Sequence, residues 1–293
     1  MKVRPNHETG TRRAVPPALV RDIVAQALAE DVGGRGDVTG QATIPPNVVA
    51  RFELRARRAG VLAGRAAAVE TFTQVDPLIE TAWLVDDGQV LAAGDTIATL
   101  SGPARAILTA ERTALNFLGR LSGIATLTRA YVEAVAGTRA RITHTRKTTP
   151  GLRALEVGAV MAGGGAAHRF GLDDAVLIKD NHVAVCGGVA EALRRAREFA
   201  GHMTCIAIEI DRLDQLDEAL AGGPDSILLD NFSLADLRTA AERAAGFKVV
   251  LETSGGVGLE TVHAIAETGV HVISVGAITH SAPNLDLGLD AVD

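Results

Sequence analysis

At 293 residues, with a net charge of −6 and 47% apolar side chains, the chain has room for two domains, or for a barrel with an appended domain, and the balance of an ordinary globular protein. The acidic balance argues against general nucleic-acid binding, and only 3% of residues are aromatic, so the interleaved aromatic and basic residues of RNA readers are missing. No segment reaches the ~20 apolar residues of a membrane span, and Cys186 and Cys205, with no CxxC pattern, read as reduced thiols in or near the core of a cytoplasmic protein.

Residues 1–17, polar and broken by prolines, read as a mobile leader. ALVRDIVAQALAED follows as an amphipathic helix with Leu19, Ile23, Ala27 and Leu28 on one face. EDVGGRGDVTGQATIPP is too rich in glycine for an element. From 48 to 100, apolar runs cut by DG and GD turns predict antiparallel strands, with RAAAVETFTQV a short helix between them. The pattern GQVLAAGDTIATLSG has a lipoyl-like rhythm, but no lysine sits at its hairpin tip, so no carrier role is assigned. Residues 103–136 repeat apolar positions every three or four residues and predict a long helix, interrupted by Arg112 and by Arg120, which reads as solvated.

From about residue 140 the pattern becomes regular. ARITHT, AVLIKD, CIAIEI, SILLDN, VVLETSGG and VISVGAI are strand-type runs, and helical segments separate them. The markers Lys179, Glu209, Asp230, Glu252 and Gly276 recur at intervals of roughly 20 to 30 residues, the spacing of repeated βα units buried on both faces. An α/β barrel is therefore expected, with its site at the C-terminal ends of the strands. Those ends carry Arg146 and Lys147, Lys179, Glu209, Asp230, Ser254 with Gly255 and Gly256, and Gly276.

The cations in 143–183, including Arg146, Lys147, His168, Arg169, Lys179 and His182, lie among glycines and short apolar runs. Gathered cations repel and lose hydration, so the cluster predicts a pocket for a polyanionic small molecule. TSGGVG and GAITHS, after the last two strands, expose backbone N–H groups near helix starts, where barrels bind phosphate. Glu209 and Asp230 suit sugar hydroxyls or Mg²⁺, which takes hard oxygen ligands. From its residues alone the chain reads as a Mg²⁺-using enzyme for a sugar phosphate and a second, polyanionic substrate.

The motifs EDVGGRGDVTG, ERTALNFLGRLSGIAT, THTRKTTPGLR, GGGAAHRFGL, VLIKDNH, IEID, LLDNFS, ETSGGV and ISVGAITHSAPNLDLGLD together resemble the quinolinate phosphoribosyltransferase family over nearly the whole chain. The resemblance implies an α/β sandwich domain over 1–122, joined by the chain end at about 282–293, and an incomplete, roughly seven-stranded α/β barrel over 123–281. It implies a Mg²⁺-dependent transfer from phosphoribosyl pyrophosphate to quinolinate, giving nicotinate mononucleotide, pyrophosphate and CO₂ in NAD biosynthesis. Arg146, Lys147, His168, Arg169 and Lys179 would bind the quinolinate carboxylates, with Arg112 supplied across the interface of a homodimer or higher homo-oligomer. Glu209 and Asp230 would hold the ribose and Mg²⁺, and Ser254, Gly255, Gly256 and Gly276 the phosphate. Lys147, Lys179, Glu209 and Asp230 would be the catalytic groups, with either lysine the proton donor after decarboxylation.

The chain departs from the family pattern at Val157, where a lysine is usual, and at Ala167, where an asparagine is usual; both leave fine specificity open. Two competing readings are a same-fold homologue associated with molybdenum transport and a Schiff-base lyase using Lys179. A third is a sugar-phosphate-binding protein without catalysis.

Overall fold

The computed structural model describes residues 15–292. Residues 1–14 of the expected leader lie outside them, and Pro17 already opens a helix. In chain order the first elements are α1 (Pro17–Val32), α2 (Val38–Thr43), β1 (Val49–Ala56), β2 (Gly60–Val61), α3 (Arg65–Val75), β3 (Glu80–Trp83), β4 (Val90–Leu91), β5 (Thr96–Pro103) and α4 (Ala104–Ala134). There follow β6 (Arg141–Thr143), α5 (Arg153–Ala162), β7 (Val176–Ile178), α6 (Asp180–Cys186), α7 (Val189–Phe199), β8 (Ile206–Ile210) and α8 (Leu216–Gly222). The chain then forms β9 (Ser226–Asp230), α9 (Leu234–Arg243), β10 (Val250–Ser254), α10 (Val262–Ala266), β11 (Val272–Ser274), α11 (Ala277–His280) and β12 (Leu287–Val292). Two compact units result. One takes residues up to 129 together with 148–164 and 281 onward; the other takes 130–147 together with 165–280. Residues 148–164 go with the first unit because Glu156 of α5 is bonded to Arg120 and the Gly163 carbonyl accepts the Arg129 Nε–H at 3.0 Å.

The first unit is built on an antiparallel sheet of order β12-β1-β5-β3. Alternation along β1 turns Phe52, Leu54 and Ala56 inward, where they meet Ile97, Leu100, Phe72, Ile107 and Leu118. The face of α1 differs from the sequence expectation. Val20, Ile23, Val24 and Leu28 are buried, Leu19 is exposed and Ala27 half-buried, because an i, i+3, i+4, i+8 stripe closes on Val20 rather than on Leu19. The glycine-rich loop also contains an element. Asp37 caps α2 by accepting the Gly40 N–H at 2.9 Å, which satisfies one orphan donor of this short helix.

Arg120 is not solvated as its surroundings in sequence suggest. It pairs with Glu156, which is 0% exposed, at 2.9 Å. Glu156 stands 36 residues away on another helix, so no local pattern announced the partner.

The second unit carries six parallel strands in the order β6-β11-β10-β9-β8-β7. The first strand pairs with the last, as barrel closure requires, but β6 and β7 do not pair with each other; only an isolated parallel bridge, Thr143 to Ala166, stands at that edge. This is the incomplete α/β barrel expected, with six parallel strands in place of about seven. Ile227, Leu228 and Leu229 of β9 are all buried, which explains a continuous apolar run rather than alternation. Neither cysteine is a core residue: Cys205 is exposed just before β8, and Cys186 is half-buried at the end of α6. No helix among the described residues is long and apolar enough to cross a membrane.

Candidate active site

Strand register in the second unit decides where the chemistry sits. Glu209 of β8 pairs with Leu228 of β9, and Asp230 of β9 with Ser254 of β10. Glu209, Asp230 and Ser254 thus stand at the C-terminal ends of three adjacent strands. A cavity of about 740 Å³ is lined there by the basic residues Arg146, Lys147, His168, Arg169 and Lys179 and by the carboxylates Glu209, Asp230 and Glu252. Ser254, Gly255, Gly256 and Gly276 complete it. Two residues of interest are elsewhere. Arg112 is exposed on α4 in the first unit. His182 accepts the Lys179 backbone N–H on its Nδ1 at 3.0 Å, at the start of α6, and does not line the cavity.

The basic side chains of the cavity differ in their partners. Burial, and next the neighbouring Arg146, pull the Arg169 guanidinium below its ordinary range, with Asp174 opposing them; a guanidinium remains charged all the same. Its Nε is buried without a hydrogen-bond partner among the described residues, and Nη1 donates to the Ala175 carbonyl at 3.2 Å. Such a group favours an incoming anion. The Lys179 ammonium, in contrast, is paired with the Glu209 carboxylate. A carboxylate partner favours the charged form of a lysine, whereas a Schiff-base lysine needs surroundings that favour the neutral amine.

The glycine-rich turn after β10 is shaped by Asn231. This residue has φ of 56°, the one positive value on a non-glycine among the described residues, and asparagine tolerates that region. Its backbone N–H donates to the Ser254 carbonyl at 2.9 Å and its Nδ2 to Asp230 Oδ2 at 2.8 Å. Ser254 Oγ donates to Asp230 Oδ1 at 2.7 Å. Gly255 has φ of +97°, and a Cβ there would lie 2.0 Å from Asn231 Oδ1, so no side chain fits. With Gly256 also left-handed, the turn offers successive bare N–H groups, the arrangement that binds phosphate.

Several lining residues escaped the sequence reading. Glu252 served there only as a spacing marker, although a carboxylate inside an apolar strand was itself a signal. Asn231 and His280, also in the lining, sat in motifs without a role of their own. His144, fully buried beside the cluster, carried no signal. Among the departures, Val157 is half-buried in α5 and Ala167 is exposed; neither lines the cavity.

No group of three or more His, Cys, Asp or Glu side chains converges as a metal cage among the described residues. Two carboxylates at adjacent strand ends still fit Mg²⁺, which is commonly held by one or two carboxylates together with substrate phosphates and waters.

Known proteins are similar to this chain over most of its length. The profile of the quinolinate phosphoribosyl transferase N-terminal domain matches residues 37–122, and that of the C-terminal domain residues 124–290. The chain is 46% identical over 274 residues to the nicotinate-nucleotide pyrophosphorylase [carboxylating] of Mycobacterium leprae, covering 92% of this chain and 96% of that protein. It is 44% identical to a probable nicotinate-nucleotide pyrophosphorylase [carboxylating] of Bacillus subtilis, covering 92% and 93%. The solved nicotinate-nucleotide pyrophosphorylase of Francisella tularensis superimposes with a TM-score of 0.92 at 40% identity, covering 97% of this chain and 100% of the other.

Proposed function

This chain belongs to the quinolinate phosphoribosyl transferase family, and from that premise we propose that it transfers the phosphoribosyl group of phosphoribosyl pyrophosphate to quinolinate. Loss of CO₂ then gives nicotinate mononucleotide, with pyrophosphate released, in NAD biosynthesis. The observation that carries the reading is one cavity holding five basic side chains, two strand-end carboxylates and a glycine-rich turn.

In this reading Arg146, Lys147, His168, Arg169 and Lys179 take the two quinolinate carboxylates, and Arg169, whose buried Nε has no hydrogen-bond partner among the described residues, supports it. Glu209 and Asp230 hold the ribose hydroxyls. Ser254, Gly255, Gly256 and Gly276 hold the 5′-phosphate, the glycines through their backbone N–H groups. As pyrophosphate leaves, positive charge grows at the anomeric carbon, and Glu209 and Asp230 stabilise it from fixed positions. The ring nitrogen attacks from the opposite face, assisted mainly by positioning. The pyridinium formed is an electron sink, so the carboxylate next to the nitrogen departs as CO₂ and its electron pair stays on the ring carbon. That carbon takes a proton from Lys147, which is exposed in the cavity, whereas Lys179 is engaged by Glu209.

Mg²⁺, held by Glu209 and Asp230, would neutralise charge on the phosphates. Arg112, exposed on the first unit, acts on a partner's cavity in a homodimer or higher homo-oligomer. We take the enzyme to work in the cytoplasm. The test is turnover of purified protein with Mg²⁺, phosphoribosyl pyrophosphate and quinolinate, with nicotinate in parallel. Nicotinate mononucleotide and CO₂ from quinolinate alone support the reading. Product from nicotinate alone, or from neither acid, overturns it.

A further inference from the structure

His168 is held from two directions by residues to which the reaction above gives no role. Its backbone N–H donates to His144 Nε2 at 3.1 Å, and its ring Nε2 lies 3.1 Å from Glu252 Oε1. His144 is fully buried just after β6, immediately before the segment that carries Arg146 and Lys147. Its Nδ1 lies 3.0 Å from the Thr145 carbonyl. Glu252 is 7% exposed in the middle of β10 and lines the cavity.

Donor and acceptor chemistry allows one arrangement of the protons. A backbone N–H only donates, so His144 Nε2 is bare, and its hydrogen sits on Nδ1 and points to the Thr145 carbonyl. With the Glu252 carboxylate as acceptor, His168 Nε2 carries a hydrogen toward it. His168 Nδ1 is buried with no partner among the described residues. The bond to Glu252 is therefore what orients the ring. The network runs from the end of β6, through the turn bearing His168 and Arg169, to β10. It ties together two segments whose cations repel each other. His144 adds no charge of its own, since a protonated Nε2 would face the His168 N–H donor to donor.

We propose that His144 and Glu252 are positioning residues, which clamp His168 by its backbone and its ring and so present the His168–Arg169 pair to a carboxylate of the pyridine substrate in one fixed geometry. The proposal rests on the substrate assigned above. Truncating either residue loosens the pair that binds the dicarboxylate and leaves the glycine-rich phosphate turn as it is. A glutamine at either position restores an acceptor oxygen in nearly the same place.

The experiment is steady-state kinetics of wild type, His144→Ala, His144→Gln, Glu252→Ala and Glu252→Gln, with the melting temperature of each. The alanine variants are expected to raise the quinolinate KM at least about tenfold, the factor that corresponds to 1.4 kcal/mol, with the phosphoribosyl pyrophosphate KM within twofold of wild type. The glutamine variants are expected to return most of the loss. Unchanged quinolinate KM in the alanine variants overturns the proposal. So does an equal rise in both KM values, or a glutamine variant as poor as its alanine counterpart. A second readout, ¹⁵N-histidine spectra of the wild type, needs no variant to fold and no turnover. Hydrogen on His144 Nδ1 and on His168 Nε2 supports the clamp, and the opposite tautomer at either ring overturns it. Failure of the wild type to use quinolinate sinks the substrate reading separately, and the spectra then decide the clamp.

Discussion

Replacing Glu156 by alanine removes the carboxylate that ties α5 to α4 in the first unit. Glu156 accepts from Arg120 Nη2 at 2.9 Å, Arg120 Nε at 3.2 Å, Thr149 Oγ1 at 2.8 Å and the Thr149 N–H at 3.0 Å. Thr149 is exposed, so its two donors regain water once the carboxylate is gone. The Arg120 side chain is only 22% exposed and keeps the Ala282 carbonyl at 3.1 Å, but it loses both of its bonds to the Glu156 carboxylate. Removing one partner of a buried ion pair destabilises by about 3–5 kcal/mol. At roughly 2 °C per kcal/mol for a chain of this size, the melting temperature of Glu156→Ala falls by about 6–10 °C. Calorimetry and urea unfolding of this variant beside the wild type measure it. A double variant, Arg120→Met with Glu156→Leu, should recover most of the loss, because apolar groups of similar volume often replace buried ion pairs without penalty. A Glu156→Ala protein within ~1 kcal/mol of wild type would falsify the reading of Arg120 and Glu156 as a strong buried ion pair.

Arg112→Ala should weaken quinolinate use while the protein keeps its oligomeric state by light scattering; wild-type kinetics would sink the cross-subunit role. Gly255→Ala forces a side chain into a left-handed position facing Asn231, a strain of about 1–3 kcal/mol, and should raise the phosphoribosyl pyrophosphate KM at least about fivefold; no change would remove the turn from the phosphate site. Lys147→Met should lower kcat for decarboxylating turnover by about 10²–10⁴ if this lysine is the proton donor, and a loss under tenfold would reassign the acid. Burial, and then Arg139, hold the His271 imidazole below its ordinary value. The folded state therefore takes up fewer protons than the unfolded one below pH ~6.5, and the stability present above that pH is lost as pH falls toward the depressed folded value. Urea midpoints should drop from pH 7 to 5 in the wild type and less steeply in His271→Asn, and parallel slopes would refute the role.

The barrel was legible because its signal is local. Each strand is a short apolar run with a polar or glycine residue at its C-terminal end, and those residues line one cavity once register aligns the strands. The α2 cap at Asp37 was missed because a capped helix of six residues reads as loop when the glycines around it dominate. The buried face of α1 was misread because Leu19 and Val20 both fit an apolar stripe, and only what packs on the helix chooses between them.

By itself, the sequence determined which residue types recur at strand ends and therefore the class of chemistry, a polyanion beside a phosphate. Tertiary structure decided the pairings that depend on distant segments. Arg120 found Glu156 across 36 residues, and His168 found Glu252 across 84. Burial was decided there too: His144 is buried and Cys205 exposed. The physical reason is range. Periodicity and strand-end chemistry act over a few neighbours, whereas an ion pair or an orienting hydrogen bond needs two side chains within about 3 Å of each other, a distance set only when the elements pack.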